Sequence, residues 1–377
     1  MLQDVHDMKD VKSNPPPLHI LVCPDRPLWA FDNIANNIAL HCGANRITKL
    51  YMRDVIGNEH LFYETILLKR IDLCHIFWRE DMFYLLNPII ITKAARHLGL
   101  DYATLVRALN SCAFTSSVYD HLFEKEADIR ERRGSFSLLD GYTVSSQKLA
   151  QIYSSVADIP RPDIVIPDGV DTAHFQPRET ERPEDGRSVI GWVGNSAWGL
   201  VANCHDVKGY HRIFRPTVEK LRQSGLQITE KVADPQVRRV PFADMPDFYR
   251  ELDVFLCTSA MEGTPNPVLE AMASGIPIVA TDVGIVPEAF GELQSRFIIS
   301  DGSPERFAQA VAELLGDAEL RRRIGAENRA RALDWSWEKK TSDWWPFWEK
   351  VIRRSMDDRN AIRRELYLLA KGELLLG

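Results

Sequence analysis

Short apolar runs recur along the whole chain and rarely alternate with polar residues. Such runs are typical of strands in a parallel sheet that is covered on both faces. Longer segments of helical periodicity separate them, so the pattern predicts an α/β protein. The predicted strands are residues 18–23, 46–51, 73–78, 113–118, 141–146, 164–167, 189–193, 227–232, 237–240, 252–257 and 276–280.

Capping residues and glycines place the ends of the predicted helices. Asp32, for example, is expected to cap a helix that runs to Cys42. The other predicted helices are residues 85–99, 147–153, 210–224, 246–251, 268–274, 304–315, 318–332 and 348–376.

The stretch 252–280 is expected to form a strand, a loop, a helix and a second strand. Asn266 is predicted to be the helix N-cap, with Pro267 at the first helical position, where its missing N–H costs nothing. Gly275 would end the helix. The loop and the helix start would lie at the carboxyl end of the sheet, where open α/β folds bind ligands.

Two carboxylates flank this helix start. Glu262 lies in the loop and Glu270 eight residues later, and helical side chains lean toward the N-terminus, so both are expected at one pocket. A helix N-terminus attracts an anion, and carboxylates accept hydrogen bonds from hydroxyls. This combination suits a sugar nucleotide. The alternative is that the two acids only complement the helix dipole.

The span from Glu262 to Glu270 resembles the E-x7-E signature of the family 4 retaining glycosyltransferases. Further segments fit the same family over about residues 163–337. They are residues 166–171, Phe175, Pro177, 191–194, 208–209, 275–277, 282–284 and 287–288.

This resemblance implies the GT-B fold: two Rossmann-like parallel-sheet domains facing a central cleft, with a C-terminal helix crossing back to the N-domain. The expected units are an acceptor-binding domain (1–177), a nucleotide-sugar-binding domain (178–342) and the terminal helix (343–377). The aromatic run at 344–348 is expected to pack between domains. Membrane-surface binding is its rival, because Lys350, Arg353 and Arg354 follow.

The resemblance also implies a donor site. Glu262 would orient hydroxyls of the sugar, Glu270 would bind the ribose, and Lys208 would meet the charge of the leaving diphosphate. Asn195 stands where many relatives carry a phosphate-binding arginine. The expected donor-binding residues are Gly194, Asn195, Lys208, Val240, Gly263, Thr264, Asn266, Pro267, Val268, Leu269 and Glu270.

The catalytic histidine of the family has no clear counterpart here. Tyr119 occupies the position that matches it best, and His121 is displaced by two residues, so both are catalytic candidates beside Glu262 and Lys208. Asp120, Trp29 and Arg79 are expected on the acceptor side.

Composition narrows the range of partners. The formal net charge of −7 argues against general nucleic-acid binding. The six cysteines are isolated along the chain, as expected for reduced cysteines of a cytoplasmic protein. Neither a signal peptide nor an apolar run of membrane-spanning length is visible. No cofactor or metal is expected, because no His/Cys cluster or convincing Asp-x-Asp motif occurs.

The resulting hypothesis is a retaining glycosyltransferase. It would move a sugar from a nucleoside diphosphate to a hydroxyl of a glycan or lipid-linked glycan, in bacterial surface polysaccharide synthesis at the cytoplasmic side of the membrane. The alternative is a non-catalytic sugar-nucleotide or glycan-binding protein of the same fold. A dinucleotide-dependent oxidoreductase is disfavoured, since no G-x-G-x-x-G follows the first strand.

Overall fold

Two parallel β-sheets organise the chain. The computed structural model describes residues 17–119, 123, 125–179, 187–198 and 206–376. The first sheet has six strands in the order β2-β1-β3-β4-β5-β6, and the second has four in the order β10-β9-β7-β8. All paired strands in both sheets are parallel.

The first half alternates strands and helices. Its elements are β1 (His19–Cys23), α1 (Ala30–Leu40), β2 (Arg46–Lys49), α2 (Met52–Val55), α3 (His60–Lys69), β3 (Leu73–Ile76), α4 (Arg79–Leu85), α5 (Pro88–His97), α6 (Tyr102–Leu109), β4 (Ala113–Val118), α7 (Glu126–Glu131), α8 (Arg133–Phe136), β5 (Gly141–Val144), α9 (Gln147–Ser155) and β6 (Ile164–Val165).

The second half contains the shorter sheet and the terminal helices. Its elements are β7 (Ser188–Val193), a π-helical turn (Tyr210–Phe214), α10 (Arg215–Gln223), β8 (Ile228–Ala233), a 3₁₀ turn (Phe242–Asp244), α11 (Met245–Arg250), β9 (Val254–Cys257), α12 (Asn266–Ala273), β10 (Ile278–Ala280), α13 (Val286–Ala289), α14 (Glu292–Ser295), α15 (Pro304–Gly316), α16 (Ala318–Ala332), a 3₁₀ turn (Leu333–Trp335), α17 (Trp337–Thr341), α18 (Trp344–Ser355) and α19 (Asp358–Leu376).

The terminal segment returns to the first sheet, as predicted. On α18, Trp344, Phe347, Trp348 and Val351 are buried in one core with residues of β1, α1 and β3. Helix α19 packs against α5 and α6. Packing within the protein therefore accounts for the aromatic run at residues 344–348.

Several predicted elements differ from the structure. Residues 237–240 form no strand and contribute only an isolated bridge between Asp234 and Arg238. The predicted helix 85–99 is broken before Pro88, where the Asn87 side chain accepts from the Ile89 amide and caps α5. The predicted helix 348–376 lies across the end of α18 and the whole of α19, with a break at residues 356–357.

Asp32 is not a helix cap, because α1 begins two residues earlier. Its carboxylate instead accepts from the Leu28 amide at 2.9 Å and from Lys49 Nζ at 2.6 Å. Four of the cysteines in the described residues are buried and Cys42 is partly buried, and all five are free thiols.

The predicted domain boundary at residue 177 stays a prediction. Val170 and Phe175 precede it but lie in the same core as α11 and α12 of the second half. Val170 also forms a parallel bridge with Ser336. In the described residues, no helix combines the length and the apolar character that crossing a membrane would require.

Candidate active site

The loop after β9 and the start of α12 reach the cleft between the two halves. Helix α12 begins at Asn266, and the preceding residue, Pro265, offers no side-chain cap. The predicted N-cap role of Asn266 is therefore wrong. Its side-chain amide instead donates to Asp168 Oδ2 at 3.2 Å. This hydrogen bond joins the start of α12 to a segment of the first half.

Lys208 and Glu262 form an ion pair beside this helix start. Lys208 Nζ lies 2.6 Å from Glu262 Oε1, and both side chains are about four-fifths buried. The Ser259 hydroxyl donates to the same oxygen at 2.7 Å. Thr258 Oγ1 donates to the backbone carbonyl of Lys208 at 2.8 Å. A cation is thus held at the loop that leads into α12, a helix whose N-terminus would favour an anionic ligand.

The backbone conformation and the close packing at position 209 require a glycine after Lys208. Its φ is +69°, a region that other residues rarely adopt, and an added Cβ would lie 2.0 Å from the Thr258 carbonyl oxygen. The tight turn brings the backbone of Lys208 against the end of β9 and so places its amine at Glu262.

Glu270 lines a cavity in the cleft, whereas Glu262 does not line it, so a pocket shared by the two acids stays a prediction. The cavity has a volume of about 120 Å³ and is lined from both halves. Tyr249 donates to Glu270 Oε2 at 2.8 Å. Burial raises the pKa of Glu270 to about 7, and the hydrogen bond from Tyr249 opposes that rise. The lining residues are Asn33, Asn37, Gly169, Val170, Asp171, Phe175, Phe242, Asn266, Glu270 and Trp337.

Gly263 brings the loop between β9 and α12 against the first half. An added Cβ would lie 2.0 Å from the Tyr119 carbonyl oxygen and 2.4 Å from Ser145 Oγ. Its own carbonyl accepts from the Ile285 amide at 3.1 Å. Next to it, the Thr264 hydroxyl accepts from the Asp168 amide at 3.2 Å. The loop that carries Glu262 is thus fixed from both sides.

The other predicted donor residues differ in what they expose. The side chains of Val268 and Leu269 are buried in the core, so a ligand could meet only their backbone. Pro267 is partly buried. Val240 packs partly buried against the same core, close in sequence to Phe242, which stacks on His174 with ring centroids 4.6 Å apart.

Gly194 and Asn195 follow β7, and each has a local role. An added Cβ at Gly194 would lie 2.7 Å from the Trp192 ring, so the glycine makes room for the indole. Close approach of a ligand is not needed to explain it. Asn195, which stands where many relatives carry an arginine, already has hydrogen-bond partners within the protein. Its Oδ1 accepts from the Ala197 amide at 3.0 Å and from Gln236 Nε2 at 3.2 Å.

The candidates around β4 are only partly described. The Tyr119 ring packs against Phe31 with centroids 5.3 Å apart. Its hydroxyl is buried and has no hydrogen-bond partner among the described residues. Asp120 and His121 lie outside the described residues, so the choice between Tyr119 and His121 stays open.

The predicted acceptor residues occupy contrasting places. Trp29 is half exposed and lies under the Arg26 guanidinium, 4.2 Å from the ring centroid. Arg79 is fully buried, with its guanidinium 5.3 Å from the Trp78 ring and 4.9 Å from the Phe123 ring. Burial argues against contact between Arg79 and an acceptor, and that role stays a prediction.

Sequence reasoning missed Tyr249 and the two asparagines of α1 that line the cavity. Tyr249 is one of two aromatic residues in a short helix, and nothing local marks its hydroxyl as the partner of Glu270. Asn33 and Asn37 are spaced one helical turn apart, which could have indicated a polar helix face toward the cleft. In the described part of the chain, no three His, Cys, Asp or Glu residues are placed to hold a metal ion.

Comparison with known proteins identifies the fold. The structure is similar to that of Anabaena Alr3699/HepE, solved in complex with UDP and glucose, with a TM-score of 0.59 at 13% sequence identity over 88% of this chain and 100% of that one. The two parallel sheets facing a cleft, with the terminal helices returning to the first sheet, define a GT-B protein.

Part of the second half matches a known family model. Residues 225–331 match the family model of the glycosyl transferases group 1, so the chain carries a domain of this family. That span contains Tyr249, Glu262 and Glu270.

Two curated proteins that match this chain are named as mannosyltransferases. An MMP alpha-(1->4)-mannosyltransferase of Mycolicibacterium hassiacum is 29% identical over 56% of this chain and 54% of its own length. The lipopolysaccharide core biosynthesis mannosyltransferase LpsB of Rhizobium meliloti is 27% identical over 45% of this chain and 55% of its own length. The chain thus spans about half the length of these relatives.

Proposed function

We propose that the protein is a retaining glycosyltransferase that moves a sugar from a nucleoside diphosphate to a hydroxyl of a glycan or lipid-linked glycan. One observation carries the proposal: Lys208 pairs with Glu262 in the loop that leads into α12, and Glu270 of that helix lines a cavity in the cleft. A cation, a helix N-terminus and two carboxylates match a diphosphate with a sugar on one side and a ribose on the other.

The reaction separates a diphosphate from the anomeric carbon, so negative charge develops on the leaving group. Lys208 and the N-terminal end of α12 are placed to stabilise that charge without large rearrangement. When a diphosphate takes up Lys208, the carboxylate of Glu262 becomes free to accept hydrogen bonds from the sugar. The two glutamates act as binding groups in this proposal and do not form the acid and nucleophile pair of a glycosidase.

The nature of the substrates rests on the relatives. A lipopolysaccharide core mannosyltransferase and another mannosyltransferase are among them, and a UDP complex is among the similar structures. These names favour a nucleoside-diphosphate hexose as the donor and a cell-surface glycan as the acceptor. We therefore place the reaction in surface polysaccharide synthesis on the cytoplasmic side of the membrane.

The first prediction tests the ion pair. Purified protein is incubated with uridine, guanosine, adenosine and deoxythymidine diphosphosugars, and release of the nucleoside diphosphate is measured with a mixture of glycan acceptors. Lys208→Met and Glu262→Gln should each lower kcat by about 100- to 1000-fold, because each removes a charged group that faces the transition state.

Lys231→Met is the matched control. Lys231 pairs with Glu251 in the same half, and its side chain is about as exposed as that of Lys208. This variant should keep the wild-type rate. Full activity in both site variants would contradict the proposal, and donor binding without turnover in the wild type would favour the non-catalytic alternative.

A second prediction concerns metal ions. Because we assign the stabilising charge to Lys208 and α12, transfer should continue at its full rate after dialysis against EDTA. The measurement is kcat with and without chelator, and with added Mg²⁺ or Mn²⁺ as a control. A rate that falls at least tenfold with EDTA and returns with a divalent cation would contradict a metal-independent mechanism.

A further inference from the structure

Tyr249 has a hydroxyl that packing alone does not require. Its ring is fully buried, with Phe175 and Phe255 each 5.8 Å away between ring centroids and Phe248 at 5.5 Å. A phenylalanine could fill this position. A buried hydroxyl is costly unless it forms a hydrogen bond, and Tyr249 donates its bond to Glu270 Oε2 at 2.8 Å.

The other oxygen of Glu270 is available to a ligand. None of the described residues donates a hydrogen bond to Oε1, and this oxygen is not among the buried unpartnered atoms. The residue lines the cleft cavity, so Oε1 has access to it. The rigid aromatic cluster around Tyr249 thus fixes one oxygen and leaves the second one facing the cavity.

We propose that Tyr249 is a positioning residue of the donor site, which holds the Glu270 carboxyl so that its second oxygen accepts hydrogen bonds from the ribose of a nucleoside diphosphate. This inference rests on the proposed function, since it assumes that a nucleotide occupies the cleft. It assigns to α11 a role in binding that acts through another side chain.

The charges around Glu270 give the proposal a measurable signature. Tyr249 faces it from α11, and Asp171 lines the same cavity from the segment after β6, while the three asparagines there are neutral. Burial raises the pKa of Glu270 to about 7, and the Tyr249 hydrogen bond favours the ionised form. An ionised carboxylate is the stronger acceptor for a ribose hydroxyl. Nucleotide affinity should therefore increase as the pH rises through 7.

The test is calorimetric titration with UDP, GDP, ADP and dTDP at pH 6, 7, 8 and 9. For the nucleotide that binds the wild type best, Tyr249→Phe should weaken Kd roughly tenfold at pH 7. The loss should shrink by pH 9, because the variant raises the pKa of Glu270 further and the carboxyl ionises again only at higher pH. On a Glu270→Ala background, Tyr249→Phe should have no additional effect.

Tyr142→Phe is the matched control, since it removes a hydroxyl that donates to the Pro160 carbonyl in the first half, at 2.7 Å. It should leave Kd unchanged. An unchanged Kd in Tyr249→Phe would overturn the inference. So would a loss that is equal at every pH and persists without Glu270, since that result indicates a structural role. Absence of nucleotide binding by the wild type would overturn the proposed function and this inference together.

Discussion

Gly263 lies where the loop between β9 and α12 packs tightly against the first half. A methyl group at this position would lie 2.0 Å from the backbone oxygen of Tyr119, which cannot move without shifting the end of β4. Gly263→Ala should therefore destabilise the protein by about 1–3 kcal/mol, as overpacked sites usually do. Urea unfolding followed by tryptophan fluorescence measures the change in the free energy of unfolding.

Gly316→Ala provides the control for this prediction. Gly316 ends α15, and an added Cβ would have no neighbour within 4 Å. Alanine also has the higher helix propensity, so this variant should match or exceed the wild-type stability. If the two alanine variants unfold at the same urea concentration, the contact at Gly263 is looser than the structure indicates.

The residues of the site differ in how far the sequence could predict their surroundings. Lys208 and Glu262 are 54 positions apart, yet the family resemblance implied one donor site for both, with Lys208 at the diphosphate and Glu262 at the sugar, and the structure pairs them. Asn266 looked like a helix cap because that role is defined locally. Its actual partner, Asp168, lies 98 positions away. Arg79 likewise followed a strand end as expected, and only tertiary packing decided that it is buried.

At the scale of elements, buried apolar runs were the reliable signal. Strands such as β9 and β10 are fully buried, and their uninterrupted apolar character follows from that burial. Residues 237–240 also include two valines but form no strand. Val237 is two-thirds exposed, so burial in a sheet does not stabilise this run. The break before α19 was missed because the sequence there has no proline or glycine, although Asp357 and Asp358 are residues that often begin a new helix.

Helix α18 anchors the terminal segment through its aromatic side chains, which leads to the next prediction. Trp348 is fully buried in a core with residues of β1, β3 and α1. Trp348→Ala should cost about 3–5 kcal/mol of stability, because it leaves a large cavity in a core shared by β1, β3 and α18. Thermal unfolding followed by circular dichroism measures the loss.

Leu366→Ala on α19 serves as the comparison, since this side chain is 62% exposed. Its unfolding temperature should stay close to that of the wild type. Equal losses in the two variants would mean that α18 does not form part of the core of the first half. A strong loss for Trp348→Ala alone would support packing within the protein as the role of the aromatic run, in place of membrane-surface binding.

At the scale of the whole molecule, polar contacts join the two halves around the cleft. The Gln147 amide donates to Glu288 Oε1 at 2.9 Å, and Lys148 Nζ lies 3.5 Å from the Asp282 carbonyl. Arg329 donates to the Phe175 carbonyl at 2.8 Å and thereby holds the segment after β6 against α16. The sequence could predict two halves from their strands, but these contacts depend on residues that are far apart along the chain.

Asp168 is a buried carboxylate of the first half that accepts from the Asn266 side chain of the second half, and it gives the last prediction. Burial raises its pKa to about 7, whereas in the unfolded chain the carboxyl ionises near 3.8. Between these values the folded protein retains a proton that the unfolded chain has lost, so the contribution of Asp168 to stability falls as the pH rises from about 4 to 7.

Asp168→Asn keeps an oxygen for the Asn266 amide and carries no charge. Its unfolding temperature relative to the wild type should therefore increase by several degrees between pH 5 and pH 8. Asp171→Asn removes an exposed carboxylate in the same segment, so it relieves no buried charge, and its difference from the wild type should be the same at both pH values. A constant or decreasing difference for Asp168→Asn would show that the carboxyl stays ionised in the cleft.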